Sequence, residues 1–165
     1  MRSLLGRAPE ESRLFNPAFM ATAAMFLAQG FRSEAGVGLP LPLAFVGCPL
    51  VTTTRLRSLL PRSTRTSMAS WLQDHPEIRG QFPDLAMALV APIRAGLLFG
   101  ARRQAISISP QGEIRQSSLS ANARATLRVA GPEVEDVVHR AEFVGRWFAL
   151  AGPCPTILAL WGVRP

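Results

Sequence analysis

The sequence predicts a mainly α-helical single domain with one small β-hairpin. Three observations predict it. Apolar residues recur at helical spacing in four separate stretches, each with a capping residue or a proline near its start. One stretch, residues 105–115, alternates instead and carries a Pro110-Gln111-Gly112 turn. Third, the 165 residues are 48% apolar and 18% charged. That is enough for one core, and short of the charge that covers a free-standing soluble protein.

The elements follow in order. Residues 1–13 mix charge, Gly and Pro and read as a flexible N-terminal arm, which leaves residues 14–165 as the domain. Asn16 can cap a helix, Pro17 suits its first position, and Gly30 suits its end. Phe19, Ala23, Phe26 and Leu27 then share an inward face, and residues 32–38 read as a loop. Leu39–Val51 is apolar on every side, so it must be buried all round or buried against another chain. Its prolines fit a kinked short helix or an internal strand, with helix preferred. Thr52, Thr53 and Thr54 offer a cap for a short turn from Arg55 to Leu60.

Residues 62–77 read as a second helix, capped by Ser63 or Thr64, with Met68, Trp71 and Leu72 inside. His75 ends it, because a residue before proline avoids helical angles. Asp84 begins the longest helical pattern, with Leu85, Leu89, Ile93, Leu97 and Gly100 on one stripe. Pro92 predicts a kink or break near Ala91. Beyond the hairpin, residues 116–131 read as a loop with a helical turn around Asn122 to Leu127. Pro132 opens a last helix that closes at Gly152-Pro153, with Val134, Val138, Ala141, Val144 and Phe148 inward. Thr156–Val163 reads as a strand or buried tail. Helix, buried segment, helix, longer helix and hairpin is the order of a winged helix-turn-helix, so the domain is expected to be winged-helix-like.

The chemistry is bounded by one omission. All 18 basic residues are arginine. A GC-rich coding bias accounts for most of this, but the chemical consequence holds regardless of origin. A GxxxxGK[ST] phosphate loop, a Schiff-base lysine and a Ser-x-x-Lys pair cannot be built. His75, in Asp74-His75-Pro76-Glu77, has the neighbours of an oriented general base but reads as a helix-terminal histidine. His139 and Glu142 are half of a metal site with no second half. Cys48 and Cys154 abut prolines among apolar neighbours and read as buried reduced thiols. No catalytic residue, metal or cofactor is assigned, and no enzyme activity is expected. Ala18–Phe31 has the apolar character of a signal segment, but the Asn16-Pro17 start marks it as a core helix. No segment reaches the ~18 apolar residues of a membrane span, so a cytoplasmic location is expected.

Two surfaces remain as candidates. Low charge and the apolar middle and tail suggest cover by another polypeptide. Leu41, Leu43, Phe45 and Leu50 from the middle, with Trp147, Ile157, Leu160 and Trp161 from the tail, form the candidate partner interface. The net charge of +7 suits an acidic partner. Arg62 and Arg65 lie in an acid-free stretch, and Arg102, Arg103 and Arg115 flank the expected hairpin. These five are the candidate nucleic-acid contacts. Acidic residues gather instead on the last helix, at Glu133, Glu135, Asp136 and Glu142.

Several stretches carry a resemblance: LFNPAF at 14–19, GLPLPLAFVGCP at 38–49, TRLRSLLPRSTRTSMASWL at 54–72, AGLLFG at 95–100, and FVGRWFALAGPCPTILALWGVRP at 143–165. Together they resemble the middle component of bacterial three-component ABC-ATPase systems. The resemblance implies a separate SMC-like ABC-type ATPase subunit, an effector subunit, and a small protein that couples them in an antiphage or conflict complex. It brings no active-site residue, and residues 117–131 depart from it. The other reading of the residues is a winged-helix DNA-binding or regulatory protein.

Overall fold

The computed structural model of the protein describes residues 16–119 and 121–164, so the expected arm at 1–13 lies outside the described residues. Helix α1 (Pro17–Ala35) starts where the sequence placed it. The Asn16 side chain accepts from the backbone N–H groups of Ala18 and Phe19 at 3.0 and 3.4 Å. It does not stop at Gly30. It runs on to Gly36, whose φ of 75° is the left-handed turn that ends many helices.

Gly30 has a different job. A side chain there would run into the Glu142 carbonyl of α8 (Pro132–Ala151), and one on Gly145 of α8 would run into Leu27 and Phe31 of α1. The two glycines therefore let the backbones of α1 and α8 touch. Gly96 does the same for α6 (Val90–Arg102), where a Cβ would strike Met20 and Ala21. Hence α1 is wrapped by neighbours and buried on nearly every side, not on the single face its periodicity suggested.

The rest of the chain is laid around it. Leu39–Pro40 is a short strand, β1, which leads into α2 (Leu41–Thr52). The preferred helical reading of the apolar middle segment is thus the observed one. Leu43, Val46, Cys48, Leu50 and Val51 are fully buried in α2, as an all-apolar helix requires. Helix α3 (Thr54–Leu59) follows. Helix α4 (Met68–Asp74) is shorter than expected. Residues 62–67 form turns, with Ser63 accepting from Arg65 and Thr66, and Ser67 is the cap, accepting from Ser70 at 3.1 Å. Hydroxyl-rich sequence offers its backbone these local bonds in place of a helix.

Helices α5 (Pro76–Ala88) and α6 meet at a 58° bend. The break falls at Leu89, two residues before Ala91, so the expected interruption near Pro92 is present. In one continuous helix Pro92 would crowd the Ala88 carbonyl and leave it unpaired; with a new helix starting at Val90 it sits in the first turn, where its missing N–H costs no bond. Strands β2 (Ile106–Ile108) and β3 (Glu113–Gln116) form the expected hairpin. β1 adds a third antiparallel strand in the order β1-β3-β2, with Leu39 opposite Ile114. Helix α7 (Ala121–Val129) precedes α8. The tail is α9 (Cys154–Leu160), a helix and not a strand, and Ile157, Leu158 and Trp161 are buried as the buried-tail reading expected. Pro153 and Pro155 flank its start, where proline is tolerated. The architecture is a mainly helical single domain with a small three-stranded antiparallel sheet. Four helices stand between α2 and the hairpin, where the winged helix-turn-helix reading placed two and a short turn.

One buried charge ties the layers together. Arg57 of α3 is 5% exposed. Its Nε donates to Asp136 at 2.6 Å, its Nη2 to Glu133 at 3.4 Å, and its Nη1 to the Val51 carbonyl at 2.8 Å. The acidic start of α8 thus neutralises a cation inside the protein, and the helix dipole favours acids at that end.

Two sets of substitutions test this account. Gly145→Ala or Gly30→Ala should cost about 1–3 kcal/mol or more by overpacking. Gly80→Ala, on an open stretch of α5 with nothing within 4 Å, should gain about 0.5–1 kcal/mol. Thermal unfolding followed by circular dichroism reads both, and a Gly145→Ala protein as stable as the parent would refute the close crossing. Asp136→Ala leaves a buried cation short of its best partner, whereas Arg57→Met leaves only more exposed carboxylates. Denaturant unfolding should therefore show Asp136→Ala as the costlier change, by about 1–3 kcal/mol. The reverse order would mean that the buried guanidinium is satisfied without Asp136.

Candidate partner interface

The tail of the chain is pinned by tryptophan. Trp161 is fully buried, with its ring 4.5 Å from Phe82 of α5 and 6.0 Å from Trp71 of α4, centroid to centroid. Its indole N–H donates to the Met68 sulfur at 3.2 Å. After it the chain closes in a Schellman turn. Val163 N–H donates to the Leu158 carbonyl at 2.9 Å and Gly162 N–H to Ala159 at 3.2 Å, with Gly162 at φ 68°. That turn folds Val163 back over Leu158.

A groove results, about 490 Å³ in volume. Leu41 and Phe45, one turn apart on α2, form one wall. Pro83, Ala86 and Met87 at the end of α5, with Val90 beyond the bend, form the second. Leu158, Gly162 and Val163 form the third, and among the described residues Arg164 is the one charged side chain that lines it. Met87 is 75% exposed. Its exposed side chain extends the apolar lining of the groove outward.

The eight residues expected at a partner interface divide sharply. Leu43, Leu50, Trp147, Ile157 and Trp161 are sealed inside the chain's own core and present nothing to a partner in this fold. Their physical demand for burial is met within the subunit. Leu41, Phe45 and Leu160 are half-buried; the first two line the groove, and Leu160 lines a separate shallow hollow with Met68, Trp147 and Leu150. Sequence reasoning missed Ala86, Met87, Val90 and Arg164. Met87 carried a signal: it is apolar but falls off the buried Leu85–Leu89–Ile93 stripe.

The five candidate nucleic-acid arginines are all exposed. Arg62 and Arg65 stand on the loop before α4. Arg102 and Arg103 stand where α6 runs into the hairpin, with Arg103 5.2 Å over the Phe99 ring. Arg115 on β3 is held by Glu113 at 3.0 Å. The arginines thus occupy two separate places rather than one stripe. A sixth, Arg57 of the same sequence cluster, is buried and spent on α8.

The groups with catalytic potential are placed structurally. His75 lies 4.3 Å from Trp71, ring centre to ring centre, and its Nδ1–H donates to the Trp71 carbonyl at 2.8 Å. Neither flanking carboxylate orients it. His139 and Glu142 line a hollow of about 290 Å³ between α1, α7 and α8. Among the described residues no three His, Cys, Asp or Glu side chains come together to hold a metal. Burial pushes the Cys48 thiol up to about 12, so at neutral pH it is a protonated core side chain and not a nucleophile. Partial burial also raises Cys154. No single helix among the described residues is long and apolar enough to cross a membrane.

Comparison with known families places the chain. Residues 6–165 fit the family model described as ABC-three component (ABC-3C) system Middle Component 3. No curated protein and no solved structure compared with the chain matches it.

Proposed function

The chain belongs to the Middle Component 3 family of ABC three-component systems, and from that premise we propose that it is a non-catalytic adaptor which couples an ABC-type ATPase subunit to an effector subunit. The setting is a cytoplasmic antiphage or conflict complex. Membership of a three-component system implies partner subunits. The observation that carries the adaptor reading is the groove. Its walls come from α2, the α5–α6 bend and the C-terminal turn, and it stays open and apolar after the core is complete. Apolar surface held open at the meeting of three rigid elements favours protein contact. The sequence supports the same division of labour, since the lysine of a nucleotide-binding loop is missing and turnover would belong to the ATPase.

A second reading, a DNA-binding protein of winged-helix type, has one observation in its favour. Arg102 and Arg103 are exposed side by side where a helix meets a β-hairpin, and neither is in an ion pair with a described residue. Such a place is suited to phosphate contact.

Co-expression tests the first reading. The chain should purify as one assembly with the ATPase and effector subunits of its own system. A well-behaved monomer that binds neither subunit would count against it. Duplex binding at low salt tests the second. Affinity should fall steeply as salt rises, and the double change Arg102→Ala with Arg103→Ala should flatten that slope by about two phosphate contacts. An unchanged slope would eliminate these arginines as DNA contacts.

A further inference from the structure

We propose that the groove receives an amphipathic helix from a partner subunit, one presenting a short apolar stripe and a carboxylate placed to meet Arg164. This rests on the coupling reading above and names what would dock.

Backbone chemistry selects a helix. The groove is walled mostly by the side chains of helix faces and by a closed turn, which offer an extended backbone few partners. An extended segment laid there would bury amides with no partner, at a cost of about 1–3 kcal/mol each. The sheet edge that leads into the groove is β1, two residues long, and one of the two is Pro40, which has no N–H to donate. The next N–H, that of Leu41, already donates to Gly112 at 2.8 Å. A helix brings its backbone bonds with it and needs only side-chain contact.

The lining selects the stripe. Leu41, Phe45, Val90 and Val163 offer fixed apolar walls, and Met87 adds a flexible thioether that adapts to whatever is laid on it. Polar side chains that would orient a small ligand do not converge here. Charge selects the partner. Arg164 is the one charged residue at the groove among the described residues, and the whole chain carries +7. A second copy would bring +7 against +7, whereas a carboxylate on a foreign helix gains from both the local and the overall field.

The test uses the chain assembled with the ATPase and effector subunits of its own system. A photo-crosslinking benzoylphenylalanine at Met87 should mark a helix of one subunit that has apolar residues on one face and an Asp or Glu within a turn or two. Met87→Asp should weaken that subunit's binding by about tenfold or more, as loss of an interface anchor does. Arg164→Glu should weaken it less, and the loss should be larger at low salt. Leu98→Asp, an exposed leucine on α6 away from the groove, should leave binding unchanged. Met87 is exposed, so the unfolding temperature should hold and separate lost docking from lost folding. A crosslink to a loop or to a second copy, or intact binding in both groove variants, overturns the proposal while the adaptor reading stands. If the chain binds neither subunit, both fall together.

Discussion

The approach of α1 to α8 at Gly30 and Gly145 is the constraint on which the rest depends. A glycine inside a helix costs roughly 1 kcal/mol against alanine. Two of them facing each other make sense only if backbone contact returns more than that. The close crossing sets α8 against the core, so that Trp147 and Phe148 point into it. From there the Trp147 N–H reaches the Thr66 carbonyl at 2.8 Å and Arg140 reaches the Pro61 carbonyl at 3.0 Å. The loop before α4, polar and irregular, is held by these bonds. The start of the same helix delivers Asp136 and Glu133 to Arg57. Its end turns through 108° into α9 and carries Trp161 to its slot. The third wall of the groove is therefore a downstream consequence of a missing pair of methyl groups.

Much of the fold could be read from local chemistry. The Asn16-Pro17 start, the Pro132 start, the hairpin turn and the helical character of the middle segment are decided by residues within a few positions, and each is where the sequence put it. Gly30 shows where that legibility ends. Locally a glycine after an apolar stretch is a stop signal, and only a carbonyl on a helix far along the chain explains it. Pro92, by contrast, was legible: its ring crowds the carbonyl four residues back, at Ala88, and the helix ends there. The tail is buried as expected, but its helical form was hidden for a different reason. Thr156–Val163 is too short and too apolar for periodicity to separate helix from strand, and the deciding residue was Gly162, a helix terminator that presupposes the helix.

The candidate site was harder still. Core and interface draw on the same apolar residues, each worth about 1.5–3 kcal/mol when fully buried. A sequence cannot say which polypeptide supplies the cover. For Leu43, Leu50, Trp147, Ile157 and Trp161 the chain covers itself. Leu41 and Phe45 are half-buried walls of a groove whose other residues lie on segments read as plain core helix or tail. The family resemblance, by contrast, rested on short patterns of Pro, Thr-Arg and Trp-Gly, and the match over residues 6–165 agrees with it.

On the coupling reading, the size of the groove limits what it does alone. A stable protein interface uses about 20–30 residues a side, more than the eleven that line the groove. The groove then acts as the anchor of a wider contact. Its value lies in rigidity. Each wall is fixed by core packing that exists before any partner arrives: Leu43 and Leu50 for α2, Phe82 and Ile93 for the α5–α6 bend, Trp161 for the tail. A partner pays little to order such a site, so a few well-placed side chains suffice for specificity. The surrounding surface is short of charge and wholly arginine among its bases, and arginine is the base best suited to a desolvated carboxylate. A protein with this layout gains little by docking apolar surface with itself and much by docking an acidic, apolar-faced helix, which is the asymmetry a component between two unlike subunits needs.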